Sequence, residues 1–374
     1  MIFSLEALRA KHGDSLLLHY GDADDPKLIV IDGGPSGVFK ATLLPRLEEL
    51  QKAHGGMLPI EIVAVTHMDD DHVRGILDFA RTLQDDASLR SGFDVRTLWL
   101  NTFESSVGDG TPVTSSSEVV PAGVGDSELE AVTASVGEGV NLRSVAEGLK
   151  WKFNEGFKDL VTVPDDSGVE VDLDPLKLTV VGPRSAEIEE LRKEWAKEVA
   201  KLAKKEKPAA EVAEYLDDSV YNLSSIVCLA ELGGKKMLLT GDARGDKILL
   251  GLEAAGALKK GGSMEVDLLK MPHHGSSRDL TQEFFERIKA REMVISADGE
   301  YHNPDLETLE MISAARKDDE FTLHLTYSDL KLGMGPIVHG FFEKEAKDGR
   351  KYKVVFRPDA DLSLRVDLLD PPAA

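Results

Sequence analysis

Short apolar runs alternate with polar, glycine-rich turns along the chain, and their lengths are those of strands and helices. Positions 15–20 and 28–31 predict two strands joined by a polar turn over 21–26. The second strand ends at Asp32-Gly33-Gly34-Pro35. Over 40–54, Leu43, Leu44, Leu47 and Leu50 form an apolar stripe, which predicts a helix. Positions 60–65 are almost unbroken apolar, as in a strand covered on both faces. Another strand is expected over 173–181, ending at Gly182-Pro183. A charged helix rich in Glu, Lys and Ala follows over 185–216, to be divided by Pro208. Its alternating charges read as a solvated face or a partner-binding surface.

The second half repeats this plan. Positions 225–232 and 236–239 predict a hairpin turned at Gly233-Gly234, whose second strand ends at Gly241-Asp242. A helix over 246–258 leads to a strand over 266–271, which runs into Pro272-His273-His274-Gly275. A further strand over 293–297 precedes Tyr301-His302-Asn303-Pro304 and a helix. Two such halves, each delivering polar clusters just past strand ends, predict an α/β fold of four layers, an αββα sandwich. One domain is expected over 1–374. It carries an insertion at about 103–216 and a β-rich extension at about 321–369 that completes the second sheet. The insertion opens with a Ser-, Gly-, Val- and Thr-rich stretch over 103–139, read as a long loop or lid.

Composition narrows the setting. The 374 residues are 42% apolar, enough for a real core. The first residues lack a basic stretch followed by an apolar one, so no leader is expected, and no apolar run approaches the ~20 residues of a membrane span. Cys228 is the one cysteine and falls in a strand-like run, as an inert buried thiol would; a reducing cytoplasm is the expected compartment. The formal charge of −23 opposes tight, non-specific binding to nucleic acid or anionic membranes. Bound divalent ions would nonetheless make an active-site mouth locally positive.

The chemistry concentrates in three strand-end clusters. The first is Thr66-His67-Met68-Asp69-Asp70-Asp71-His72. His67 and Asp69, two apart in an extended segment, point toward one ion, and Asp71 and His72 reach a second. Imidazole and carboxylate without thiolate suit Zn2+, Mn2+ or Fe2+ in a catalytic type of site. The second cluster, Thr240-Gly241-Asp242, delivers a carboxylate able to bridge two cations. In the third, His273 and His274 are adjacent, so one is expected to ligate and the other to orient a ligand or contact substrate.

The ordered set Asp32-Gly33-Gly34, His67-x-Asp69-x-Asp71-His72, Thr240-Gly241-Asp242 and Pro272-His273-His274-Gly275-Ser276 resembles the metallo-β-lactamase superfamily. More narrowly, it is similar to the hydrolase domain of ComEC, the competence DNA-uptake protein. Asp69 stands where that branch has aspartate, Gly13-Asp14-Ser15 matches its Gly-Asp motif, and Asn222-Leu223-Ser224-Ser225 resembles its asparagine-serine strand. The likeness runs discontinuously over about 1–305 and leaves about 103–216 unmatched. Tyr221-Asn222 stands where many members have a histidine.

The resemblance implies a metal-dependent hydrolase with two divalent ions, zinc first and manganese second. His67, Asp69 and Asn222 would hold one ion; Asp71, His72 and a histidine of the pair would hold the other, with Asp242 between them. Asp32 would fix the tautomer of a ligand imidazole, Asp71 would take up a proton, and His302 would donate to the leaving group or contact a phosphate. Lys270, Ser276 and Arg278 flank the histidine pair as candidate substrate contacts, although solvation at the surface is the commoner role for the two cations. The implied reaction is phosphodiester hydrolysis on nucleic acid or a nucleotide. Two alternatives stand beside it: a lactone, thioester or amide hydrolase, and a regulatory or scaffold subunit, as in an anti-phage system, whose insertion engages a protein partner.

Overall fold

The computed structural model describes residues 1–102, 134–203 and 221–369. Strands β1 (Ile2–Leu8), β2 (Leu16–Asp22) and β3 (Asp25–Ile31) form an antiparallel meander, and β4 (Leu58–Val65), β5 (Phe93–Leu100) and the short β6 (Lys152–Phe153) add to it in parallel. In the second sheet, β7 (Val169–Leu173), β8 (Leu176–Gly182), β9 (Val227–Leu232) and β10 (Lys235–Leu239) are antiparallel. There β11 (Met264–Lys270), β12 (Ile288–Ile295), β13 (Thr322–Leu325) and β14 (Lys353–Phe356) continue in parallel. The last strand, β15 (Ser363–Leu369), returns to pair with β1. Both sheets thus pass from antiparallel to parallel at an equivalent place, β3–β4 in one and β10–β11 in the other.

Alternation along the strands makes the layers. Phe3, Leu5 and Ala7 with Leu16, Leu18 and Tyr20 face inward, against Leu178, Val180, Met237, Leu239, Leu268 and Val294 of the other sheet. Their neighbours Leu17, Leu28, Val30 and Val63 face outward. They lie under α1 (Leu44–His54), α2 (Asp70–Asp85) and α3 (Ala134–Gly148). After α4 (Ser185–Ala203), the outer face of the second sheet is covered by α5 (Gly245–Ala254), α6 (Gln282–Arg287), α7 (Leu306–Ala315) and α8 (Met334–Lys347). Helix, sheet, sheet and helix give the expected four layers. Cys228 lies in the inner layer, where burial pushes its thiol up to about 12.

Several elements depart from the sequence reading. The helix expected over 40–54 opens with a π turn, Phe39–Leu43, before α1 begins. Pro45 in the first turn of α1 has no N–H for an ordinary i→i−4 bond. The single strand expected over 173–181 is the hairpin β7–β8, turned at Asp174-Pro175. Because β8 pairs with β9, this part of the supposed insertion belongs to the second sheet. The stretch 321–369 is not wholly β: α8 interrupts it, β13 and β14 extend the second sheet, and β15 extends the first. Strands β1 and β5 have no counterpart in the sequence reading. Of the lid expected over 103–139, residues 134–139 are instead the start of α3, and the rest lies outside the described residues, as does the break at Pro208. Among the described residues, no helix is long and apolar enough to cross a membrane.

Candidate metal centre

Strands β4, β10 and β11 end close together, and their C-terminal loops carry the imidazoles and carboxylates. From β4 the chain passes through Thr66 and His67 to Asp69, whose extended backbone (φ −70°, ψ 145°) starts α2. Asp71 and His72 then occupy the first turn. From β11 it enters His273 (φ 47°), His274 (φ 53°) and Gly275 (φ 85°), three successive left-handed residues. An extended backbone would send neighbouring side chains to opposite faces. This turn instead brings both rings to the same carboxylate, where the sequence points to only one.

That carboxylate is Asp242. Its Oδ2 lies 3.2 Å from His274 Nε2, 3.4 Å from His72 Nε2, 3.8 Å from His273 Nε2 and 3.9 Å from His67 Nε2. Asp69 Oδ2 is 3.0 Å from His67 Nε2, while Asp71 lies 3.6 Å from His274 Nε2 and 3.7 Å from His72 Nε2. The donor atoms of His67, His72 and Asp242 fall within 4.8 Å of one another, as do those of Asp71, His72 and His274.

Three of the four rings, those of His72, His273 and His274, are held from behind by a carboxylate or a carbonyl. His72 Nδ1 donates to Asp32 Oδ2 at 2.9 Å, and Asp32 also accepts the Thr66 N–H and hydroxyl, both at 2.7 Å. His274 Nδ1 donates to the Ser296 carbonyl at 3.0 Å, and His273 Nδ1 faces Asp279 Oδ2 at 3.3 Å. Carboxylates and carbonyls can only accept, so each Nδ1 carries the hydrogen and each Nε2 turns its lone pair inward. Close backbone contacts fix the loops. A Cβ on Gly13 would stand 2.0 Å from the Asp71 carbonyl oxygen, and one on Gly33 would stand 2.3 Å from the Ile76 backbone nitrogen. These approaches account for glycine in the Gly13-Asp14 and Asp32-Gly33 motifs.

The electrostatics are those of an enclosed, anionic cage. Burial lowers the pKa of His67 to about 4, helped by the charge of His72. Burial acts the same way on His72, His273 and His274, but there Asp242 leads the carboxylates that outweigh it, and all three are raised. Burial and the charge of Asp71 push Asp69 well up. Asp242 is driven well below the carboxylate range, because His274, His72 and His273 overcome its burial. Buried oxygens Asp69 Oδ1 and Asp242 Oδ1 make no hydrogen bond among the described residues. Unpartnered carboxylate oxygens and inward-facing imidazole nitrogens, without thiolate, fit divalent cations.

The other candidates are placed differently. Asn222 is buried in the turn before β9 and lines a small cleft with Pro183, Ala243 and Arg244. His302 is exposed in a 3-10 turn (Glu300–His302), and Arg278 is exposed beside the buried Ser276. Lys270 requires a correction: it is neither solvated nor open to substrate. It is fully buried, with Nζ 2.5 Å from Asp14 Oδ2. Asp14, Thr66, Asp279 and Ser296 have no role in the sequence reading. Asp14 and Thr66 do fall inside motifs quoted there, Gly13-Asp14-Ser15 and the cluster that Thr66 opens.

Two mixed sheets packed face to face, helices outside both, and an imidazole–carboxylate cage where the strands end define the architecture. This is the four-layered αββα arrangement that the motifs lead one to expect of a metallo-β-lactamase sandwich. No protein-family model matches the chain. Over 129 residues, 30% of this chain, it is 30% identical to ComE operon protein 3 of Bacillus subtilis (strain 168), and the similarity spans 15% of that protein's length. The crystal structure of the metallo-β-lactamase fold protein YhfI from Bacillus subtilis aligns over 98% of this chain and 99% of that one, with TM-score 0.40 and 12% identity.

Proposed function

We propose that the protein is a metal-dependent phosphodiesterase acting on nucleic acid or a nucleotide. The observation that carries the metal-dependent part is the position of Asp242 Oδ2 within 3.9 Å of four imidazoles delivered in pairs by two other strand-end loops. His67 and Asp69 would hold one divalent ion, Asp71, His72 and His274 the other, with Asp242 shared. His273, whose Nε2 lies 3.8 Å from Asp242 Oδ2, would complete the set beside the shared carboxylate. Divalent cations, zinc first and manganese second, would supply the positive charge that acidifies water and neutralises charge developing on the phosphoryl group.

The chain's own groups do the remaining work. Asp32, Ser296 and Asp279 hold the imidazoles in the tautomer that leaves Nε2 free to ligate. Asp71, with 22% of its side chain exposed, is the most open carboxylate of the cage and takes up the proton of the attacking water. Exposed His302 and Arg278 face solvent at the strand-end loops, where they meet the leaving group and the phosphate. Nearby Tyr301, 71% exposed with its ring edge-on to His12, offers a face to a base. The choice of phosphodiester rests on the resemblance of the motifs to the hydrolase domain of ComEC.

Incubating the Zn2+- and Mn2+-loaded protein with single-stranded DNA, RNA and bis-p-nitrophenyl phosphate tests this reading. Turnover that is lost in Asp71→Asn is expected. The net charge of −23 favours one other reading, a small neutral acyl substrate that needs no electrostatic steering. Hydrolysis of lactones or thioesters with phosphodiesters untouched would decide for it.

A further inference from the structure

Lys270 is the only fully buried lysine among the described residues, and it lies three positions before His273 at the end of β11. Its ammonium contacts Asp14 Oδ2 at 2.5 Å and donates to the Met271 carbonyl at 3.0 Å. Asp14 is equally buried, and apart from that ammonium its oxygens have no hydrogen-bond partner among the described residues. Its other oxygen, Oδ1, stands 3.6 Å from His274 Nδ1. That nitrogen already gives its hydrogen to the Ser296 carbonyl, and the Ser296 hydroxyl in turn donates to the Gly13 carbonyl at 2.8 Å. The β1–β2 loop and the ends of β11 and β12 are therefore tied together around one imidazole.

Stability alone is a poor reason to keep such a pair, since a buried ion pair is often replaced by apolar groups without loss. Its position suggests another role. Behind His72 lies Asp32, which accepts the ring hydrogen directly. Behind His274 lies a second carboxylate at a similar depth, but it is turned toward a lysine. A lone buried anion at 3.6 Å would compete with the neutral Ser296 carbonyl for the His274 N–H and draw the ring out of line with Asp71, His72 and Asp242. Lys270 removes that competition by cancelling the charge.

We infer that Lys270 and Asp14 form a positioning pair for His274, in which the lysine keeps the Asp14 carboxylate from pulling the imidazole away from the metal cage. The inference rests on the metal-binding part of the proposed function.

Cobalt(II) binding to the full chain tests it, read by visible absorption and by competition with a chromophoric chelator, with thermal unfolding of each metal-free variant alongside. Lys270→Met is expected to bind its weaker cobalt equivalent about tenfold or more less tightly, the scale of outer-shell changes at metal sites, with a shifted absorption band. The double variant Asp14→Asn/Lys270→Met, which has no charge left to compensate, is expected to regain most of the affinity and the original band. It also keeps the test open if the single variant does not fold. Equal weakness in the two variants, or unchanged binding in both, would overturn the inference while leaving the metal centre standing. A wild-type chain that binds no cobalt or zinc would overturn both.

Discussion

Asp32 Oδ2 lies 2.9 Å from His72 Nδ1, and both side chains are fully buried. The contact reaches from the end of β3 to the first turn of α2 and commits His72 to present Nε2 to Asp242. In Asp32→Asn the left-handed backbone at φ 57° remains comfortable. The amide, however, can place N–H groups against the ring, which favours the tautomer that blocks ligation. Metal affinity should fall about 10- to 100-fold, measured by chelator competition, while the circular dichroism spectrum is retained. Unchanged affinity would remove Asp32 from the site.

The glycine contacts separate crowding from helix propensity. Gly13→Ala places a methyl carbon 2.0 Å from the Asp71 carbonyl oxygen, and backbone on both sides leaves little room to yield. A loss of about 1–3 kcal/mol is expected, as for overpacking, together with weaker metal binding because Asp71 must move. Gly340 in α8 has open space out to 4 Å around the point where a Cβ would stand, and its φ is not positive. There the substitution to alanine should stabilise by about 1 kcal/mol. Denaturant titration of both variants checks the opposite signs.

A second buried network predicts how stability depends on pH. On the outer face of the first sheet, Glu6 is held by His19 at 2.8 Å, by Arg46 at 2.7 Å and by Ser363. Burial raises its pKa, but the hydrogen bonds of His19 and Arg46 outweigh it and bring the carboxyl from 4.5 down to about 2. Because the folded value lies below the unfolded one, the stabilisation is complete above the unfolded pKa and disappears as pH falls through the folded pKa. Its size is about 3 kcal/mol. The stability gap between wild type and Glu6→Gln should have that magnitude at neutral pH and shrink as pH drops from 4.5 toward 2. A gap that does not change with pH would contradict this assignment.

What the sequence reveals, and what it hides, follows from the range of the interactions. Asp32, His67, Asp71, His72, Asp242 and the His273-His274 pair are legible because each follows an apolar run that marks a strand end, and their residue types suit cations. The sandwich is legible for the same reason, through alternating runs of strand length. Lys270 is not, because its partner Asp14 lies on another strand-end loop, and a lone lysine reads as solvated. Glu6 in β1 is similar: at the polar position of the Phe3-Leu5-Ala7 alternation it reads as solvent-facing, and only the structure shows it buried against Arg46 and His19. The common orientation of His273 and His274 depends on three left-handed residues, of which only Gly275 announces itself in sequence. The turn at Asp174-Pro175 falls just inside the strand expected over 173–181, and the alternation of apolar and charged positions on both sides of it is the same, so the two arms of the hairpin read as one.

If the loops cage a pair of cations, Asp242 is the residue whose loss should matter to both. Metal content by mass spectrometry, measured on protein purified without added ions and then after exposure to Zn2+ or Mn2+, tests this most directly. About two equivalents per wild-type chain are expected, falling toward none in Asp242→Ala at unchanged fold. A wild-type chain that stays free of metal after exposure, or an Asp242→Ala chain that binds as much, would contradict it.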